Sequence, residues 1–482
     1  MLTRDLAVAL QGNKAYACTK LRLKMETQVG PGSSVDRPSL RQIYSKDSTA
    51  FLWLGLGTSY TLADSTLGSM ATFMRLDGGA GLHLPNQVML WASICTAATL
   101  LVAWYVGKSS ASSLETFRRL VWGLLVAQIA GAVGLAVGWH VVVGDAAVVV
   151  IGVACLAASV GVLSWTTVIP SVSLYFPEEM ISAYFTGSAC GSLVAGLLGL
   201  LQGGWEAFGP TFSMLCVAAL LLRATAAWHG LDRAGSGLKR SPTATTAAAA
   251  GPSGALAVPP QARGAEGWAL LDGGGGGGGG GGVVATKERA RGNAVLRPLL
   301  LLVVPLNVAV WGIAPNVVQY AAAHAGCSCD ADAPAVFLTY QLSISLSYVG
   351  MAAAGVVSFV RPTYAPNRLL ALGAAQLACF ALVAAGASGR VGGLVCGAAA
   401  RLLFGVATVG MRCADTYVTA SAYRVLAARF ASDAEQPLLA RLSLSLGGAL
   451  ALGTSASSIA TSLAVEHDLI GCRLEQIARV NL

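Results

Sequence analysis

The chain is poor in charge. Asp, Glu, Lys and Arg make up only 11% of its 482 residues, whereas a soluble domain carries about 25%. So little charge cannot cover a water-facing surface, which sets aside an ordinary soluble globular protein. An Asn-X-Ser/Thr sequon is missing, so glycosylation is not expected. HExxH, GxSxG and P-loop patterns are missing too, as is any soluble segment large enough for a catalytic domain, so the reading is a non-enzyme with no cofactor. No long apolar run follows the first residues, so a cleavable signal peptide is not expected. Most of the eleven cysteines stand singly among apolar residues and read as small hydrophobes. The group His324, Cys327, Cys329 and Asp330 is the exception. One residue between its cysteines is not a zinc spacing, so no metal is expected, and a disulfide to Cys472 is the alternative.

What is present is apolar sequence. Hydrophobic residues account for 55% of the chain, and the mean hydropathy is +0.65. Backbone in lipid must satisfy its own hydrogen bonds, so this composition predicts an all-α polytopic membrane protein. Windows long enough to span fall near 49–73, 87–107, 119–142, 146–172, 181–203 and 208–229. A second set follows near 298–322, 336–360, 368–388, 391–415 and 439–464. That predicts about eleven transmembrane helices, six and then five.

Basic residues orient them. If the amino terminus is cytosolic, Lys108, Arg118, Arg119, Arg361, Arg368, Arg424, Arg429 and Arg441 all fall on the cytosolic side. Only Arg75, Arg390, Arg473 and Arg479 fall opposite. The positive-inside rule therefore predicts a cytosolic amino terminus and a lumenal carboxyl terminus. The expected organisation is a basic cytosolic tail (1–48), a six-helix bundle (49–229), a cytosolic linker (230–296), a five-helix bundle (297–466) and a lumenal tail (467–482).

The linker is rich in Ala, Gly, Pro and Thr and contains ten consecutive glycines at 273–282. Such a segment cannot bury enough apolar surface to order itself. Two bundles joined this way fit a major-facilitator-like arrangement, with a site near the bilayer midplane and the bundles rocking about it. Within the linker, Glu266, Leu270 and Leu271 have the form of an acidic dileucine sorting signal, which clathrin adaptors read.

Polar groups inside the spans are the candidates for a substrate or proton pathway, because lipid makes them expensive. Asp64 in the first span costs roughly 2.5–3.5 kcal/mol at a helix centre and should face the bundle interior. In the tenth span, Arg412 and Asp415 stand three apart, share a face and are placed to satisfy each other. Arg401, eleven residues earlier, is expected on nearly the same face and deeper in the membrane, as an anion-binding group or a helix-to-helix link. Gln319, Tyr340 and Gln341 are further pathway candidates, although Tyr at a span end also serves as an interface anchor. Pro170, Pro305 and Pro315 predict bends.

Residues 165–204 carry the strongest pattern. Gly187, Gly191, Ala195 and Gly199 recur every four positions, so one helical face is smooth enough for close backbone approach. Before them stand Phe176-Pro177, Ile181-Ser182, Tyr184 and Thr186-Gly187. This order of aromatic-Pro, Ile-Ser, aromatic and Thr-Gly resembles the battenin family, also called the neuronal ceroid lipofuscinosis type 3 protein family. The resemblance continues in the stretch around Thr58, in Val304-Pro305-Leu306, in Tyr340-Gln341 and in Tyr417-Val418-Thr419. It ends with His467-Asp468 and Cys472.

The resemblance implies a lysosomal or vacuolar membrane protein, major-facilitator-like and most simply a secondary transporter. Glycerophosphodiesters or basic amino acids are the solutes it implies, with an effect on lumenal pH. The chain departs from the family's pattern at Thr58-Ser59, at Ser164 to Thr166, at Ile313 and at Glu435 to Leu438. Family acids are lost while Arg401 and Arg412 remain, which tilts the expectation towards an anionic phosphodiester. Two rivals stand beside it: an equilibrative nucleoside transporter-like carrier, and a non-transporting membrane scaffold for trafficking. The former family expects Asp and Arg in its eighth span, and residues 336–360 contain neither.

Overall fold

The computed structural model describes residues 46–75, 81–109, 114–144, 146–176, 178–204, 209–234, 282–328, 330, 333–360, 363, 365–388, 397–430 and 436–467. Their regular structure is helical. The first column is broken into α1 (Lys46–Thr58), α2 (Thr61–Gly68) and α3 (Met70–Phe73). Then come α4 (Leu84–Ser109), α5 (Leu114–Gly138) and α6 (Val148–Leu163). A π-turn at Ser164–Val168 leads from α6 into α7 (Ile169–Tyr175), followed by α8 (Glu178–Gly204) and α9 (Pro210–Ala234). The later columns open with α10 (Gly282–Asn307), a π-turn at Val308–Ile313 and α11 (Ala314–Ala325). They close with α12 (Pro334–Val360), α13 (Pro366–Ala387), α14 (Ala398–Arg429) and α15 (Gln436–Glu466).

Among the described residues, nine helices are long and apolar enough to cross a membrane. The protein is therefore an all-α, multi-pass membrane protein. Two further columns are not among the nine: the first, whose pieces run to 13, 8 and 4 residues, and α14, which carries Arg401, Arg412 and Asp415. Apolar side chains turned outward, such as Leu101, Val137, Leu301 and Leu402, make a surface suited to lipid rather than water.

The broken first column has a chemical cause. Ser and Thr hydroxyls compete with backbone donors for the carbonyls of the preceding turn. Here Thr61 Oγ1 donates to the Leu56 carbonyl at 2.6 Å, and Thr58 Oγ1 donates to the Leu54 carbonyl at 2.9 Å. The break frees the Ser59 carbonyl, and Gln128 Nε2 of α5 fills the vacancy at 2.6 Å. A new helix, α2, thus begins inside the molecule with Asp64 in its first turn, where the helix dipole favours a negative charge.

Proline breaks the seventh column in a comparable way. Pro315 has no N–H for the carbonyl of the turn before it, and the Asn316 side chain adds a bond next to that gap, its Nδ2 donating to the Gly312 carbonyl at 2.9 Å. The π-turn lies between Pro305 and Pro315, and the other π-turn ends one residue before Ile169-Pro170. The prolines expected to bend their helices thus each stand within three residues of a π-turn, an irregularity that often accompanies function.

Two boundaries differ from the sequence expectation. The tenth span, expected at 391–415, is the helix α14 at Ala398–Arg429. Its second half continues because Tyr417, Val418 and Tyr423 keep an apolar face despite Arg424 and Arg429. Residues 282–296, expected as linker, belong to α10, where Ala285-Thr286-Lys287-Glu288-Arg289-Ala290 is rich in helix formers. The amino-terminal tail before residue 46, the linker dileucine Glu266, Leu270 and Leu271, and Cys472 lie outside the described residues.

The small-residue stripe of α8 lies along the first column. A methyl group added at Gly187 would meet the Leu52 carbonyl, one at Gly191 the Thr61 hydroxyl, and one at Gly199 the Ser345 hydroxyl of α12. A methyl at Gly68 would in turn lie 3.1 Å from the Ala195 carbonyl. Gly196, one position off the stripe, faces α12 instead. The helix therefore packs backbone-close on two neighbours at once, one early in the chain and one late.

Candidate substrate cavity

Three apolar cores divide the molecule. One contains only residues from the first six columns, such as Phe51, Leu125, Val172 and Trp228. A second is built from the later columns, with Leu299, Val303, Leu426 and Leu446. The third takes residues from both sets, with Leu62, Leu135 and Ala195 packed in one cluster with Tyr320, Ile344 and Met411. The two sets of columns therefore share one core at one face; at the other each has its own, and Trp165 and Phe185 of the first set reach across to Tyr423, with ring centres 5.6 Å apart.

Polar links reinforce the fused face. Gln341 Nε2 donates to the carbonyls of Gly68 at 2.8 Å and Gly199 at 2.7 Å. Tyr320 hydroxyl and His83 Nδ1 are 3.1 Å apart, and Asn86 Nδ2 donates to the Ser462 carbonyl at 3.3 Å. The Arg75 guanidinium lies 5.0 Å from the centre of the Phe337 ring.

Between the two separate cores lies a cavity of about 290 Å³. The first six columns contribute Tyr60, Asp64, Ser93, Trp165, Phe185 and Ser192 to its wall. The later columns contribute Asn307, Trp311, Asp415, Thr419, Tyr423 and Arg424. Both interrupted columns, the first and the seventh, border it at their breaks. Interrupted helices in corresponding places of two halves are what a transporter uses to build a binding site.

Each side supplies one buried carboxylate. Asp64 is 3% exposed and accepts a hydrogen bond from Ser192 Oγ at 2.6 Å. Asp415, also 3% exposed, accepts from Trp311 Nε1 at 2.7 Å and from Gln376 Nε2 at 3.1 Å. Asn307 Nδ2 adds bonds at 3.2 and 3.3 Å to its two oxygens. Three neutral donors hold Asp415, and one holds Asp64.

Arg412 sits behind this wall. It is 1% exposed, its guanidinium carbon 4.8 Å from the centre of the Trp311 ring and 4.9 Å from that of Tyr348. Its charge acts on both Asp64 and Asp415. Its Nε and Nη1 have no hydrogen-bond partner among the described residues. The expected local pairing of Arg412 with Asp415 is thus not formed as an ion pair there. The guanidinium stacks between two rings, a cation–π arrangement that a planar delocalised cation suits, and neutral donors take the carboxylate.

The other sequence candidates separate from this site. Arg401 stands in the first turn of α14, half-exposed, and does not line the cavity. Eleven residues of helix carry it about 16 Å from Arg412, so Arg412 is the buried arginine and Arg401 the peripheral one. Gln319 is fully buried and donates to the Asn316 carbonyl at 2.8 Å. Tyr340 is buried in the fused core, and Gln341 ties α12 to the first column and α8. None of these three is on the cavity wall. Cys327 is disulfide-bonded.

Sequence reasoning missed Trp311, Asn307, Gln376 and Ser192. Asn307 and Gln376 were visible as polar residues in apolar windows, the same signal that singled out Asp64. Trp311 and Ser192 gave none, since each is common in any membrane helix.

No protein-family model matches the chain, and no curated protein matches it. Solved structures similar to it include the xylose transporter XylE from E. coli in a partially occluded inward-open conformation. That likeness has 12% identity and a TM-score of 0.41, covering 88% of this chain and 98% of that one. The peptide transporter POT in complex with sulfate is similar at 14% identity and a TM-score of 0.46, with 92% of this chain and 97% of that chain covered. A bacterial homolog to the human lysosomal transporter Spinster, inward-facing and unoccupied, is similar at 13% identity and a TM-score of 0.45. That match covers 88% of this chain and 83% of the other.

Proposed function

We propose that the protein is a secondary transporter that moves small polar solutes across a lysosomal or vacuolar membrane, in the manner of a battenin. One observation carries the reading: a cavity lined by both sets of helices, with one buried carboxylate contributed by each set. A buried charge in a membrane helix is costly, and Asp64, with a single protein donor among the described residues, borders the cavity rather than an opposite charge bonded to it. The shared core at one face, against a few aromatic contacts from Trp165 and Phe185 to Tyr423 at the other, supports two bundles able to rock about a central site.

In this reading the first six columns form one bundle and the later five the other, and residues between them form a cytosolic linker. The arrangement is major-facilitator-like. The battenin resemblance and the positive-inside pattern support the compartment, the cytosolic amino terminus and the lumenal carboxyl terminus. On that orientation the cavity extends towards the cytosol, since Ser358, Arg424 and Leu439 line it near the cytosolic ends of α12, α14 and α15. The linker sequence Glu266, Leu270 and Leu271 would meet a clathrin adaptor and deliver the protein to its organelle.

The test is a metabolite profile of purified lysosomes or vacuoles from cells lacking the protein. A small polar solute, a glycerophosphodiester or a basic amino acid, is expected to change several-fold in the organelle. An unchanged profile alongside misdelivered cargo would replace the transporter with a trafficking scaffold.

A further inference from the structure

Among the described residues, the charges buried around the cavity do not balance. Asp64 and Asp415 carry two negative charges when ionised, and Arg412 one positive charge. Arg424 also lines the cavity, but it is half-buried, gives Nη1 to the Ser358 carbonyl at 2.6 Å, and lies nine residues further along α14. That is about 13 Å of helix from Asp415, and the partly exposed Arg424 side chain is screened more than the buried three. The groups facing Asp64 are Tyr60 of its own column, Tyr348 of α12 and Arg412 of α14; the charge facing Asp415 is again Arg412. The buried set is therefore one positive charge short.

Geometry decides where the missing charge sits. Asp415 is saturated by Trp311, Gln376 and Asn307, all on its own side of the cavity. Asp64 has a single protein donor, Ser192, and its remaining lone pairs face the cavity. Arg412 cannot fill the space, because two rings hold it behind the wall.

We propose that this cavity binds one positive charge at a time, either a proton on Asp64 or a solute bearing a single net ammonium or guanidinium charge, and exchanges one for the other. The inference rests on the transporter reading and adds to it the coupling ion, the stoichiometry and the charge of the solute. When the solute enters, the Asp64 O–H bond breaks, the proton leaves to water, and the carboxylate pairs with the solute cation. The reverse occurs on release. An empty, fully ionised site leaves an uncompensated buried charge, which disfavours crossing without cargo. The expectation drawn from Arg401 and Arg412, an anionic phosphodiester, is thereby replaced, since neither arginine faces the cavity.

The experiment uses the full chain purified into acid-loaded vesicles containing a pH dye. Lysine and choline serve as monocations, putrescine as the dication, glycerophosphocholine as the zwitterion and glycerol phosphate as the anion. The expected result is that a monocation drives proton exit, one proton per solute, with no change when the membrane potential is clamped. In detergent, the apparent Kd of that monocation should rise about tenfold per pH unit once Asp64 is protonated. Asp64→Asn should abolish the proton movement, and Arg412→Gln, which leaves the set two charges short, should shift preference towards putrescine. The wild-type stoichiometry stands even if either variant fails to fold. Flux of the anion or zwitterion, or monocation flux without protons, would overturn the exchange and leave a transporter. No flux of any of the five would overturn both.

Discussion

Asp64 and Asp415 are equally buried, yet their surroundings differ in kind. Asp415 lies within a continuous helix, α14, and receives donors from two other columns: Asn307 and Trp311 from the seventh and Gln376 from α13. Asp64 lies in the first turn of a helix that restarts inside the molecule, and among the described residues only Ser192 donates to it. A carboxylate with three fixed donors has its charge stabilised permanently and anchors its bundle. A carboxylate with one donor and an open side can change partners. The contrast teaches that burial alone does not identify a working group; the number of fixed donors separates a structural acid from an adjustable one.

The sharpest way to break this comparison is to remove each acid and measure thermal unfolding in detergent. Asp415→Ala leaves three buried donors without their acceptor and is expected to cost about 3 kcal/mol or more. Asp64→Asn keeps the shape and one bond and should cost less than about 2 kcal/mol. Equal losses would erase the distinction between anchor and adjustable group.

The broken first column offers a second contrast, between close and open backbone. Gly187→Ala drives a methyl group into the Leu52 carbonyl and is expected to destabilise by about 1–3 kcal/mol. Gly123→Ala meets nothing within 4 Å and should be neutral or stabilise by about 0.5–1 kcal/mol. If both behave alike, α8 does not pack on α1 as described.

Gln128→Ala probes the break itself. It leaves the Ser59 carbonyl without its donor at a buried position and should cost about 1–3 kcal/mol. Refolding of the first column into one straight helix, seen as no loss of stability, would show that the break is not held by this bond. At the small end, Arg119→Ala removes an exposed pair with Glu115 at 3.1 Å and should change stability by less than about 0.5 kcal/mol.

Much of the fold was legible from the chain. The nine long apolar helices of the structure fall on predicted windows, because a span needs a run of apolar residues and such runs are visible in one dimension. The displaced α14 shows where that logic weakens: a helix carrying Arg412 and Asp415 has no clean window, and its neighbours decide its length. The site was legible in part. Asp64 and Asp415 stood out because a charge in lipid is rare, whereas the depth of Arg401 was misjudged along with the boundary of its helix. Gln319, Tyr340 and Gln341 were visible as polar groups, but nothing in their spacing said that Gln341 fastens helices and that the other two are buried away from the cavity wall.

The sequence by itself determined that the chain lives in a membrane, that it is helical, and that a few ionisable residues must lie inside it. Each of these follows from transfer energies of single residues or local runs, which need no knowledge of neighbours. Only the tertiary structure decided which acid is saturated and which is open, that Arg412 stacks between Trp311 and Tyr348, and that one face is fused while the other encloses a cavity. Those facts depend on donors from helices tens or hundreds of residues away, and on whether an arginine meets a ring or a carboxylate when the columns pack.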